Sequence, residues 1–307
     1  MTMRILAGLL STSLLALGLW AAGGEAAAKI RVVTTTTDLK ALTEAVGGDL
    51  IEVDALARGS QNAHDLEVRP SLMAKVRRAD LLVTNGLDLD QWAEIVVRGA
   101  NNPNVLFGAP GRVDASAGIM VLEVPNTRVD RSMGDVHPFG NPHYTADPGM
   151  APVVTTNILE GLVRVAPQHR AAFERNRQEF LARLAQAMTR WSAALAPFKG
   201  AKVVVDHNMW PYFLTRFGLV QVGTIEERPG IPATPGHLAK LVASMKENKI
   251  RVILAVPWGD YKLSEWVAQE TGAKAVLVAS AVGAVKGADS YLDTIDYNVR
   301  TVAQALK

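Results

Sequence analysis

Apolar positions along this chain alternate between two rhythms. Residues 29–36 (KIRVVTTT) form a short apolar run that suits a buried strand. DLKALTEAVGG after them has the period of a helix ending on glycine. LIEVDALA repeats the strand pattern. A helix is expected to start at Pro70-Ser71, where proline suits the first turn, and to run to Ala79. DLLVTNG, the helix LDQWAEIVVRGA and a short strand NVLFGA complete the series. Such alternation predicts a parallel sheet with helices on both faces.

Residues 125–148 break the rhythm. They are dense in Pro, Gly, Asn and Asp, have no clean period, and read as a loop. The longest helical pattern then covers residues 167–197. Phe173, Phe180, Leu184, Met188, Trp191 and Leu195 recur at spacings of 7, 4, 4, 3 and 4, which is one apolar stripe. A helix of about 28 residues would be roughly 42 Å long and could act as a rigid connector.

After it the first rhythm restarts. AKVVVDH, VQVGTI, RVILAVPWG and AKAVLVAS are expected strands. MWPYFLTRFG, TPGHLAKLVASMKENK, KLSEWVAQETG and SYLDTIDYNVRTVAQAL are expected helices, with Thr234 as an N-cap and Pro235 at the first helical position. The halves echo each other, since KIRVVTTTTDLKALTEAVGG and KVVVDHNMWPYFLTRFGL both run strand, polar turn, helix, glycine. The expected fold class is α/β: two lobes, each a parallel sheet flanked by helices, joined by one long rigid connector helix. The expected divisions are a targeting segment at 1–28, a first lobe at 29–165, the connector at 166–196 and a second lobe at 197–307.

The targeting segment is read from Arg4, the apolar run of residues 5–22, and an A-x-A site at Ala26-Ala27-Ala28. A membrane anchor is the competing reading, because the run approaches the length of a span. The small-residue site favours cleavage near Ala28 and export to the periplasm. No cysteine is available there for a lipid anchor. The absence of cysteine from all 307 residues also excludes disulfides and thiolate ligands, so any metal must be held by nitrogen and oxygen. A net charge of +2, without a basic stripe or interleaved aromatics, gives no reason to expect nucleic acid.

Candidate chemistry centres on three histidines distant in sequence. His64 lies in SQNAHDLEVRPS after the second strand, His143 in GNPHYTADP, and His207 in KVVVDHNMWPYF after the first strand of the second lobe. Ligands of parallel α/β sheets gather at the carboxyl ends of strands, so two facing lobes would bring the three imidazoles into one cleft. Histidine is the commonest protein ligand for zinc. His137 precedes His143 in the same loop; transient metal capture is open to it, but it is read as a bystander. His169 and His237 sit at expected helix starts and read as solvated. A fourth ligand should be a carboxylate, and Asp289 is the candidate, although it or Ser290 could simply cap the last helix. Asp38, Asp65 and Asp206 are alternatives, with Asp65 and Asp206 also placed to orient neighbouring imidazoles.

At these residues the chain resembles the metal-binding solute receptors of ABC importers for zinc and manganese, the cluster A-I or ZnuA/TroA-like family. The resemblance spans the mature chain through the His64 loop with Pro70-Ser71, GNPHYTADP, VVVDHNMWPYFLTRFGL and TIEERPGIPATPGHLAKL. It implies a metal between two lobes and delivery to a membrane permease, with His64, His143 and His207 at the family's ligand positions. Histidine at the third position is typical of the zinc type, and three imidazoles suit Zn2+ better than manganese. Relatives often carry an aspartate directly after the last strand, where this chain has Ala279-Ser280, so Asp289 or water must complete the site. The loop before His143 is short and offers only Asp130, Asp135 and His137.

The expected function is therefore a periplasmic zinc receptor, not an enzyme. Its expected partners are the zinc ion and an ABC permease, with a periplasmic metallochaperone as a further candidate, and it is expected to act as a monomer. A zinc hydrolase is the alternative from another class, but HExxH and GxSxG are absent. A metal-dependent adhesin or storage protein is the third reading. Protonation of the imidazoles should release metal below about pH 6, from their ordinary titration range.

Overall fold

A computed structural model describes residues 28–307, so the targeting segment at 1–28 falls, but for its last residue, outside the described residues. The first half builds β1 (Ile30–Thr34), α1 (Thr37–Gly47), β2 (Ile51–Ala55), α2 (Pro70–Arg77), β3 (Leu81–Thr84), α3 (Trp92–Ala100) and β4 (Arg112–Asp114). Two helices follow, α4 (Ala151–Val165) and α5 (Arg170–Leu195). The second half builds β5 (Lys202–Val205), α6 (Pro211–Phe217), β6 (Val220–Thr224), α7 (Pro235–Glu247), β7 (Val252–Ala255), α8 (Tyr261–Thr271), β8 (Lys274–Leu277) and α9 (Tyr291–Leu306). Both sheets are four-stranded and wholly parallel, in the orders β2-β1-β3-β4 and β6-β5-β7-β8. The echo between the halves is thus an identity of topology.

Local chemistry sets several of these boundaries. Thr36 caps α1 by accepting from Leu39 N, and Thr234 caps α7 by accepting from His237 N, with Pro235 at the first helical position. α2 also begins on proline, Pro70. α6 and α8 close on Gly218 and Gly272 in the left-handed region, which glycine enters without steric cost.

One expectation needs correction and one element is added. NVLFGA is not a strand: Pro103–Val105 form a 3-10 turn capped by the Asn102 side chain, and the strand comes later, at Arg112–Asp114. Pro103 has no N–H to give a ladder, and of the apolar run only Val105 is buried, while Phe107 is 92% exposed. α4 is an addition to the expected elements. Its stretch PVVTT is poor in helix propensity, but Val154, Ile158 and Leu162 are all fully buried, and packing overrides propensity.

The expected stripe on α5 holds. Phe173, Phe180, Leu184, Trp191 and Leu195 are buried along its 26 residues, each aliphatic or Phe side chain contributing about 1.5–3 kcal/mol by burial. These residues belong to one apolar cluster that takes in Val32 and Val83 from the first sheet and Val203 and Leu254 from the second. The connector is therefore embedded in a core shared by both lobes. Loops tie the lobes as well. Thr37 Oγ1 donates to Val282 O at 2.8 Å, and Val282 N donates to Asp38 Oδ1 at 2.7 Å. Gly59 backs onto this same segment so closely that a Cβ there would overlap Val282 O.

Candidate metal centre

The carboxyl ends of both sheets converge on three imidazoles. One ligand nitrogen from each of His64, His143 and His207 lies within 4.8 Å of the other two. His64 and His143 face each other through their Nε2 atoms at 3.2 Å. Ring centroids are 5.0 Å apart for His64–His143, 5.5 Å for His64–His207 and 5.8 Å for His143–His207.

Each histidine is fixed by its own local device. His64 N donates to Asn62 Oδ1, and Trp92 Nε1 donates to Ala63 O at 2.8 Å, which pins the turn just before it. His143 N donates to Asn141 Oδ1 at 3.0 Å. The loop around His143 is then held from both lobes: Asn85 Nδ2 donates to Pro142 O, and Tyr212 OH donates to Asn141 O. His207 extends β5 and is 1% exposed, with Trp258 edge-on to its ring at 4.9 Å.

The Nδ1 of His207 meets Glu226 Oε2 at 2.7 Å. A neutral His207 donates there from Nδ1, which leaves Nε2 bare for a metal. Glu226 was not anticipated as an orienting residue, although β-register could have found it. Val205 pairs with Thr224, so two residues further on, His207 and Glu226 emerge side by side, and Glu226 N donates to Asp206 O. Gly230 N also donates to Glu226 Oε2 at 2.8 Å and holds that carboxylate in place.

The carboxylate candidates behave differently from expectation. Asp206 orients backbone rather than imidazole: its Oδ1 accepts from His207 N and its Oδ2 from Val256 N. Burial pushes its pKa up to about 7 despite these bonds. Asp38 accepts from Val282 N and Thr145 Oγ1 and serves the join between lobes, and burial raises its pKa to about 6. Asp65 is exposed. Asp289 is exposed too, just before the α9 cap Ser290, and lines a surface groove with Lys40, Glu44, Phe180 and Arg183. The structure does not gather it with the three histidines.

The bystander reading of His137 needs revision, because its Nε2 lies 3.1 Å from His64 Nδ1 and the two rings stack at 4.9 Å. His137 and Asp135 line both a cavity of about 420 Å³ that reaches His143 and His207 and one of about 360 Å³ that reaches His64. His237 and His169 are partly buried rather than freely solvated: His237 Nε2 is 2.9 Å from Thr224 O, and His169 stands edge-on to Phe173 at 6.0 Å.

Electrostatics favour neutral rings. Burial, then the neighbouring imidazoles, hold His64 and His143 well below the ordinary histidine range. Burial brings His137 down to about 4. Clustered neutral imidazoles, whose converging nitrogens can be bared by a change of tautomer, are the donor set of a soft or borderline cation, and tetrahedral zinc takes such nitrogens.

Comparison with known proteins agrees with this geometry. Residues 32–305 match the model of a family described as zinc-uptake complex component A periplasmic. The iron-binding protein YfeA of Yersinia pestis is 26% identical over 288 residues, covering 91% of this chain and 87% of its own. The high-affinity zinc uptake system protein ZnuA of Bacillus subtilis is 25% identical over 285 residues, covering 91% and 88%. A crystal structure of ZnuA superposes with a TM-score of 0.78 at 25% identity, covering 91% of this chain and all of that one. The match runs through both sheets and all three histidines, so the chain belongs to the family of zinc-uptake complex component A periplasmic proteins.

Proposed function

We propose that this protein is a periplasmic receptor that holds Zn2+ between its lobes on His64, His143 and His207 and presents it to an ABC importer permease. The observation that carries this is the convergence of three imidazole nitrogens within 4.8 Å, from segments as distant as residues 64 and 207. Relatives named for iron and for zinc share this fold at similar identity, so the choice of zinc rests on the donor set. An all-imidazole site without thiolate suits zinc better than manganese, which prefers more oxygen. Among the described residues no helix is long and apolar enough to cross a membrane. The A-x-A site at Ala26-Ala27-Ala28 carries the reading of a receptor released by cleavage near Ala28, acting as a monomer at the permease and loaded by a metallochaperone.

The fourth position we assign to water rather than to Asp289, whose groove faces α1 and α5. A receptor gains from an exchangeable fourth ligand, because cargo must leave as well as arrive. The test is a competition titration of the chelator-stripped chain from residue 29 onward with zinc and manganese. One tightly bound zinc per chain, preferred over manganese and unchanged by Asp289→Ala, is the expected result. Absence of any tight metal would overturn the reading.

A further inference from the structure

His64 uses both ring nitrogens. Its Nε2 faces His143 Nε2 at 3.2 Å, inside the trio, and its Nδ1 faces His137 Nε2 at 3.1 Å, on the side turned away from it. A neutral imidazole carries one proton. When a metal takes Nε2, that proton must be on Nδ1, and among the described residues the only group within hydrogen-bond distance of Nδ1 is an imidazole nitrogen that must then accept. We propose that His137 is the positioning residue for His64: its Nε2 accepts from His64 Nδ1–H, keeps its own ring proton on Nδ1, and so presents His64 Nε2 bare to the cation. The inference rests on the zinc reading for its cargo but not for its geometry.

The same task is done on His207 by the Glu226 carboxylate at 2.7 Å. His137 and Glu226 sit on two loops that are fastened together. Asp135 N donates to Pro229 O at 2.8 Å, and Arg228 Nη1 donates to Ser132 O at 2.6 Å. Gly134 permits this approach, since a Cβ there would overlap Pro229 O, and its φ of +68° suits glycine. The orienting partner of the first lobe's ligand is thereby held against the orienting partner of the second lobe's. The near-parallel stack of His137 on His64, at 24° between planes, limits rotation of the His64 ring as well. His137 cannot ligate the same ion from this position, because it occupies the opposite nitrogen of a ligand ring.

The metal-free chain of three rings is satisfied when His143 Nε2–H donates to His64 Nε2 and His64 Nδ1–H donates to His137 Nε2. His64 is then already in its metal-binding tautomer. Two readouts test this on the mature chain: histidine 15N shifts, which assign the tautomer of His64, and zinc competition. Wild type is expected to show His64 protonated on Nδ1 with and without zinc. His137→Phe keeps the stack but has no acceptor, and is expected to lose the single tautomer and to bind zinc about 10–100-fold more weakly, the usual cost of an outer-shell partner. His137→Gln, whose amide oxygen accepts, should recover most of both. The proposal is overturned if His137→Phe keeps wild-type affinity and tautomer, or if zinc-loaded wild type shows His137 Nε2 itself on the metal. Failure of wild type to bind zinc would sink the receptor reading alone, and the metal-free tautomer would still decide the role of His137.

Discussion

His207→Ala is expected to lower zinc affinity by more than about 100-fold, beyond the 10–100-fold that loss of an outer-shell partner costs, while His237→Ala leaves it unchanged. The two residues make a fair comparison because both are histidines of the second lobe near β6. His207 offers a nitrogen to the trio and has its other nitrogen on Glu226. His237 Nε2 is spent on the carbonyl of Thr224 and its backbone on the α7 cap. Alanine at 207 removes a ligand and leaves the Glu226 carboxylate without its ring donor. Competition titration on both variants, with circular dichroism to confirm that each is folded, gives the answer. Equal losses would sink the assignment of His207.

The second large effect is on acidification. An exposed three-histidine site would begin to lose zinc as pH falls through about 6.5, the ordinary histidine value. Here burial and mutual repulsion hold His64 and His143 well below that value, and His137 near 4. The sign follows directly. A ring that refuses a proton at pH 6 has none to surrender to the metal, so affinity should stay nearly flat from pH 7.5 to about 6 and fall only well below that. The release expected from the sequence therefore moves to more acidic conditions. Asp206, Asp135 and Glu226 are the carboxylates nearest His207. Asp135 is raised by burial and faces His207, so its protonation as pH falls adds to the loss of cation attraction. The same depressed rings destabilise the metal-free fold on acidification from about 6.5 downward, because the unfolded chain takes protons that the folded chain declines. Zinc affinity measured at half-unit steps would contradict this if it dropped steeply between pH 7.5 and 6.5.

Much of this molecule can be read from its sequence, because its signals are periodic or chemically rare. Strand and helix rhythms gave the two parallel sheets, the stripe from Phe173 to Leu195 gave α5, and three histidines at strand ends and in a turn gave the cluster. The hidden parts depended on three-dimensional neighbours. α4 opens with β-branched residues, so propensity argues against it, and only the cavity it fills makes it a helix. Glu226 looked like one acid among several until β6 placed it beside His207. His137 lies in a stretch without period, and the contact that gives it a role is with His64, in a loop fastened to the other lobe where Asp135 N donates to Pro229 O. Asp289 shows the converse. It has a suitable chemistry and a suitable place in sequence, yet the turn before α9 directs it to a groove beside α1.

The single apolar cluster that runs from the first sheet through α5 into the second has a consequence for how the chain comes apart. Neither half can melt without stripping Phe173, Phe180 or Trp191 of partners that also support the other half. Heating should therefore give one calorimetric peak with matching van't Hoff and calorimetric enthalpies, not the two of independently stable modules. A ligand bound across the cleft then raises the midpoint of that one transition. At a free zinc concentration a thousand times its dissociation constant the gain is about 4 kcal/mol for the whole molecule, so cargo occupancy becomes readable as resistance to heat.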